Sequence, residues 1–302
     1  MRTGKASGAE RVLVLPVETI NRELDAKLHL ALRAALRGRR VIIGGRADIN
    51  RFIPRLPPAI YVSKGLRVGN KYILRFMEAF GHVPVALDEE SLIRQSDEAL
   101  LLMLDDETFN RPRLLFAWGQ SNADVWRRFK GYRGTPIMEI GNPRVDLLRP
   151  ELAAYFGKEV KSITDRFGDF VLVSTNFSMV NHFIAEHTRF KTAGDADAGR
   201  ADALKSGLKA HKQRVFDAFV AAIPAMAAAV APMTLVIRPH PSENPETWVK
   251  AAHGLANVQV IHEGPIGPWL MAPAASPAAA CKRKSKWHVT SAPRPNSPAV
   301  KA

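Results

Sequence analysis

A chain of 302 residues, 46% hydrophobic and 24% charged, has enough apolar material for two ordinary domains, which excludes an intrinsically disordered chain. A single cysteine, Cys281, excludes an internal disulfide framework and a cysteine-based metal site. The formal net charge of +14 asks for an anionic partner, but six of the positive charges (Lys282, Arg283, Lys284, Lys286, Arg294 and Lys301) follow Glu263, the last acidic residue. Without them the rest of the chain carries +8, which is less like a nucleic-acid binder. No uninterrupted apolar run approaches the ~20 residues of a bilayer-spanning helix. The N-terminal MRTGKASGAERV lacks the apolar segment of a secretory signal.

In chain order, Val12–Leu15 reads as a strand, and Leu24, Leu28, Leu32 and Leu36 follow as the stripe of an amphipathic helix stopped by Gly38. Val41–Ile43, Ala59–Val62, Val83–Leu87, Leu114–Trp118 and Ile137–Ile140 are further strands with helical material between them. Ser121 and Asp124 have the spacing of a capping box. Strands alternating with helices predict a parallel sheet covered on both faces. The turn Gly141-Asn142-Pro143-Arg144 breaks this series and places a domain boundary at residues 141–150. A second α/β series starts at Phe170–Ser174. A polar stretch at 192–203 reads as a loop, and a helix then carries Val215, Phe216, Phe219, Val220 and Ile223 on one side until Pro224 kinks or ends it. Thr234–Ile237, Glu246–Ala252 and Val258–Ile261 follow as strand, helix and strand.

The sharpest local feature is Val236-Ile237-Arg238-Pro239-His240-Pro241-Ser242-Glu243-Asn244. A strand ends and releases Arg238 and His240, which alternation allows on one face, while the prolines stiffen the turn. Asn244 is placed to cap a helix beginning at Pro245. Ligands of open α/β sheets sit beyond the carboxyl ends of the strands, and a guanidinium there suits phosphate. The site reads as a phosphate cradle for a nucleotide-linked donor, involving Arg238, His240, Ser242 and Glu243. The competing reading is a rigid turn whose Arg and His only pair with nearby carboxylates. Ser174-Thr175-Asn176-Phe177-Ser178 offers hydroxyl and amide groups to the same ligand through Thr175 and Asn176, or simply makes Asx and Ser/Thr turns. In the first series Glu18 and Glu23 flank the start of the first helix, and the run Asp88-Glu89-Glu90 follows the strand Val83–Leu87. There they serve either as a general base or as ordinary helix-start residues. His82 and His187 stand alone, and neither zinc-type spacing nor a P-loop is present.

Taken in order, ETINRELDAKLHLAL (residues 18–32), VIIGG, GHVPVALDEES, LLFAWGQSNAD, GNPRVDLL, VSTNFSMVN and VIRPHPSENPETW resemble the surface carbohydrate biosynthesis proteins, relatives of capsule Kdo transferases, polysialyltransferases and CDP-glycerol glycerophosphotransferases. The resemblance covers roughly residues 11–272. It implies a GT-B-like α/β fold of two Rossmann-like lobes with parallel sheets. It assigns residues 1–10 to a flexible N-terminus, 11–145 to an acceptor-side lobe, 146–272 to an incomplete donor-side lobe, and 273–302 to a basic tail. It also implies that Arg238 and His240 hold the donor phosphate, that Glu18 or Glu89 is the base, and that no metal or cofactor is needed beyond the nucleotide-linked donor as substrate.

One departure is large. In those families a Ser/Thr-rich loop entering a helix completes the phosphate site, whereas here the chain passes Ala272 into APAASPAAACKRKSKWHVTSAPRPNSPAVKA. Its composition predicts disorder from Pro273 onward and suggests a shifted reading frame, which translation of the other two frames would test. The expected function is transfer of a sugar or polyol phosphate from a nucleotide donor to a glycan hydroxyl in surface polysaccharide assembly. The protein is expected to be inactive in this form, to be cytoplasmic with peripheral attachment to the inner membrane as an option, and to have no specific nucleic-acid partner. Two alternatives stay open: a non-catalytic basic protein binding nucleic acid or anionic lipid, and a UDP-sugar epimerase-like protein of the same architecture.

Overall fold

The computed structural model describes residues 11–89, 96–184, 198–272 and 274–275. Glu90, His187, Cys281, residues 1–10 and most of the expected tail lie outside the described residues. The chain divides into two compact units, one running to Gly157 and including Pro265–Gly267, the other Lys158–Gly264 with the residues from Pro268 on.

The first unit runs β1 (Val12–Val17), α1 (Ile20–Ala35), β2 (Val41–Gly45), α2 (Arg46–Phe52), β3 (Ala59–Ser63), α3 (Lys71–Ala79), β4 (Val83–Leu87), α4 (Asp97–Leu101), α5 (Asp106–Asn110), β5 (Leu115–Ala117), α6 (Gln120–Arg127), β6 (Ile137–Glu139) and α7 (Pro143–Asp146). Its strands are all parallel, in the order β2-β1-β3-β4-β5-β6. Near-continuous apolar runs such as Val12–Val17 suit strands covered on both faces. On one side Val14, Ile53, Tyr61 and Met77 pack together, and on the other Leu15, Val62, Val85 and Leu87. Phe109 and Trp126, both fully buried, meet edge to face beside Tyr132 and Phe129. Sequence order reverses between β1 and β3, so the carboxyl ends of those strands form the switch point of the sheet.

The second unit holds α8 (Gly157–Phe167, its first residue in the first unit), β7 (Phe170–Ser174), α9 (Ala198–Val230), β8 (Thr234–Arg238), α10 (Pro245–Ala251), β9 (Val258–Val260), α11 (Gly267–Met271) and β10 (Ala274–Ala275). Its parallel sheet has the order β10-β7-β8-β9. Leu235 and Ile237 face Phe216, Ile223, Ala227 and Trp248 on one side, and Val236 faces Phe170, Ile163 and Trp269 on the other.

Several expectations need correction. The Leu24/Leu28/Leu32/Leu36 stripe does not face the core: Glu23, Ala26 and Lys27 are the buried residues of α1, and Leu28, Leu32 and Leu36 are exposed. Small residues and a paired Lys27 let the helix approach β1 and β2 closely, leaving the leucines outward. Gly119, not Ser121, occupies the capping position of α6 and offers no side-chain cap, and Asn122 Oδ1 accepts from Trp118 N–H at 3.1 Å. The turn at Gly141 opens no linker, because α7 packs on α1 and the Tyr155 hydroxyl donates to Asp25 at 2.8 Å. The expected boundary therefore shifts to Gly157. Helix α9 starts inside the expected 192–203 loop and continues through Pro224 to Val230. Its Gly207–Val230 segment reaches the length and mean hydropathy of a membrane-crossing helix, but Lys209, Lys212, Arg214 and Asp217 interrupt it, in line with the expectation of no uninterrupted apolar run, and Phe216, Ile223 and Ala227 pack into the core. Ala274–Ala275, expected to be disordered, pair with Phe170–Val171.

Candidate functional site

The second unit presents two loops at the carboxyl ends of β7 and β8, and they are tied together by an unusually complete set of hydrogen bonds. Thr175 N–H donates to Arg238 O at 3.1 Å, Phe183 N–H to Ser242 O at 3.1 Å and Asn244 N–H to Asn181 O at 2.8 Å. Asn181, itself buried, donates from Nδ2 to Asn244 O and accepts from Thr247 Oγ1. Glu243 is the hub. It is fully buried, and Oε1 accepts from Thr175 Oγ1 at 2.8 Å and from His240 N–H at 3.0 Å, while Oε2 accepts from Trp248 Nε1 at 3.1 Å. A carboxylate with three donors satisfies its charge within the protein, so Glu243 shapes the loop and is not available to a ligand. Thr175, also expected to meet a ligand, is likewise buried and committed to Glu243. Asn176 is exposed and its Oδ1 accepts from Ser178 Oγ at 3.2 Å.

His240 is half-buried in this frame. Its Nδ1 accepts from Ser242 N–H at 3.2 Å and lies 3.0 Å from Ser242 Oγ. An imidazole nitrogen that accepts carries no proton, so in the neutral ring Nε2 is the N–H donor. Ser242 thereby fixes the tautomer. The backbone is held as well: His240 O accepts from Glu243 N–H at 2.8 Å and lies 3.2 Å from His262 Nε2.

Arg238 departs from expectation. It sits on the same face of β8 as Val236, and that face is covered: its guanidinium carbon lies 4.7 Å from the Trp269 ring centroid and the residue is 7% exposed. Nη2 donates to Gly264 O at 2.9 Å, and Nη1 is buried without a hydrogen-bond partner. Burial pushes its pKa down to about 10, with Glu263 opposing. Arg238 and His240 therefore do not emerge side by side. One is a buried charge at the strand end, the other a half-buried donor two residues later. Asn244 meets its expectation: Oδ1 accepts from Glu246 N–H at 3.1 Å, with Pro245 at the first helical position.

The first unit gathers charge at the carboxyl ends of β1, β3 and β4. Glu18 follows β1, at the switch point. Its carboxylate pairs with Arg46 at 3.1 Å and with Lys64, and its side chain is 32% exposed. Glu89 is enclosed at 3% exposure between Lys27 at 3.2 Å and Arg144 at 3.4 Å, and Arg144 also donates to Glu89 O at 2.7 Å. Of the two expected bases only Glu18 reaches the surface. Sequence reasoning missed Lys27 and Arg144. Lys27 carries a weak signal, lying four residues after Glu23 on one helix face, whereas Arg144 carries none before the fold is known.

Glu23 is also buried, and its Oε2 accepts from Glu18 N–H at 2.9 Å. Burial raises its carboxyl above the ordinary value, and Lys27 pulls the other way. A raised carboxyl supplies stability that is present below the unfolded value and lost as pH rises through the folded one. Stability is therefore expected to fall as pH climbs above the ordinary glutamate value of about 4. Glu23→Gln keeps an oxygen for Glu18 N–H and should flatten that fall, read as the urea midpoint against pH. Parallel wild-type and variant curves would refute this.

Among the described residues no group of three or more His, Cys, Asp and Glu side chains is placed to hold a metal ion. No known family model matches the chain. No curated protein matches it either.

Proposed function

We propose that the chain is a glycosyltransferase-like protein of the GT-B kind, acting in bacterial surface polysaccharide assembly. Its ligand is a nucleotide-linked sugar or polyol phosphate, and a glycan hydroxyl is the acceptor. The observation that carries this reading is the loop after β8. Glu243 and Ser242 hold His240 with its ring proton on Nε2, at the carboxyl edge of a parallel sheet where such folds bind ligands. A polar loop whose backbone and ring orientation are fixed in advance stabilises charge without reorganising when the ligand arrives. Arg238 adds a permanent positive charge behind the strand end, and Ser242 and Asn176 supply further polar groups.

In the first unit Glu18 is the group assigned to accept the proton of the attacking hydroxyl, because it ends β1 at the switch point and is accessible. Glu89 serves instead as the enclosed partner of Lys27 and Arg144. Cytoplasmic residence, with attachment at the inner membrane face, fits a nucleotide donor. The motif series that supports the family reading runs from Glu18 to Trp248.

Binding is the direct test, since it does not require turnover. CMP, CDP, UDP and GDP are added to the purified full chain and the melting temperature is followed. A ligand at about 100 times its Kd contributes about 2.7 kcal/mol, so at least one nucleoside diphosphate should raise the midpoint by several degrees while the parent nucleosides do not. If no nucleotide moves the midpoint, or nucleosides act equally, the proposal is wrong.

A further inference from the structure

The outward stripe of α1 is an apolar face with a basic border, and it belongs to neither candidate site. Leu28 is 41% exposed, Leu32 57% and Leu36 72%. They lie four residues apart and so line one side of the helix. Between Asp25 and Asp48 the sequence has no acidic residue but carries Lys27, Arg33, Arg37, Arg39, Arg40 and Arg46. Lys27 is buried against Glu89, while Arg33, Arg37, Arg39 and Arg40 are exposed at the end of α1 and in the turn into β2.

We infer that this end of α1 docks on an anionic lipid bilayer, with the leucines entering the headgroup boundary and the arginines meeting lipid phosphate. A helix that is apolar on one side and basic at its border lies flat in that interface. Charge complementarity selects this occupant. A second copy packed about a two-fold axis would set the same arginines against each other, which opposes self-association. Nucleic acid would neutralise the arginines but leave three leucines in water. The surface stands apart from the nucleotide reading, and the two fail separately.

The experiment is sedimentation of the full chain with phosphatidylcholine vesicles, with and without phosphatidylglycerol. Binding is expected only with the anionic lipid and should weaken as salt rises. A triple variant, Leu28→Ser, Leu32→Ser and Leu36→Ser, keeps every charge, including the basic residues after Glu263, so its response reads the stripe alone. It should bind at least about tenfold more weakly while its circular dichroism and its response to nucleotides stay those of wild type. Arg33→Gln with Arg37→Gln should weaken binding about fivefold per arginine and flatten the salt dependence, and it decides the question if the triple variant does not fold. Equal binding by wild type and the variants, or equal binding to neutral vesicles, would overturn the assignment. So would a wild-type dimer that the serines convert to monomer without any vesicle binding.

Discussion

Glu243→Ala is expected to destabilise the second unit by about 4 kcal/mol, because three donors lose one acceptor at once. Trp248 Nε1, Thr175 Oγ1 and His240 N–H all end on this carboxylate, which is fully buried, so water cannot replace it without entering the core. Each orphaned donor costs roughly 1–3 kcal/mol, and the missing side chain leaves a void beside Trp248. Trp248 also supports Phe177, Phe216 and Phe219 at ring separations of 5.4–5.9 Å, so its displacement would spread into the main cluster of this unit. Glu243→Gln retains oxygen for part of the set but turns an N–H₂ towards donors, and should lose about 2 kcal/mol. Urea unfolding followed by tryptophan fluorescence measures both. A loss below about 1 kcal/mol for the alanine variant would show that the hub does not hold the loop.

Arg238→Met is expected to separate stability from ligand binding. The guanidinium is buried on Trp269 with one bond from Nη2 to Gly264 O and no partner for Nη1, so its desolvation is only partly compensated. Methionine fills similar space and keeps contact with the indole. Stability should hold or rise by up to about 2 kcal/mol, since replacing a poorly paired buried charge with an apolar chain is often neutral or favourable. The charge also makes its own pH signature. Its pKa is depressed, so folding is favoured further as pH rises through about 10, and the variant should lack that rise. Nucleotide affinity, in contrast, should drop about tenfold or more with loss of the permanent charge. If the variant is strongly destabilised, the arginine is a structural anchor for the Gly264 segment. If it binds nucleotide as wild type does, the charge plays no part in the site.

The strands were legible because parallel sheets covered on both faces bury most of their residues, which leaves apolar runs such as Val83–Leu87 and the FVLV that begins Phe170–Ser174. Helix orientation was not. Leucines four apart on α1 mark an apolar side, but which side meets the sheet depends on Lys27 finding Glu89, which also holds Arg144, and only the fold brings these groups together. The burial of Arg238 is hidden for a related reason. Alternation allows Arg238 and His240 on one face, and nothing nearby in the sequence marks Trp269 as the cover over the Arg238 guanidinium. Glu243 looked like a ligand group because its partner Thr175 lies 68 residues away, and its neutralising donors cannot be read locally. Asn244 was read correctly since helix caps are local: the side chain and the amide it serves are two residues apart.

The nucleotide reading depends most on His240. Its backbone amide and Nδ1 are engaged by Glu243 and Ser242, which hold the ring at the end of β8, and this ring is the group assigned to the ligand's phosphate. Titration calorimetry of wild type and His240→Ala with the best-binding nucleotide, in one buffer and at one salt concentration, measures that contribution. The prediction is an affinity at least about tenfold lower in the variant with the fold intact. Equal affinities would contradict it.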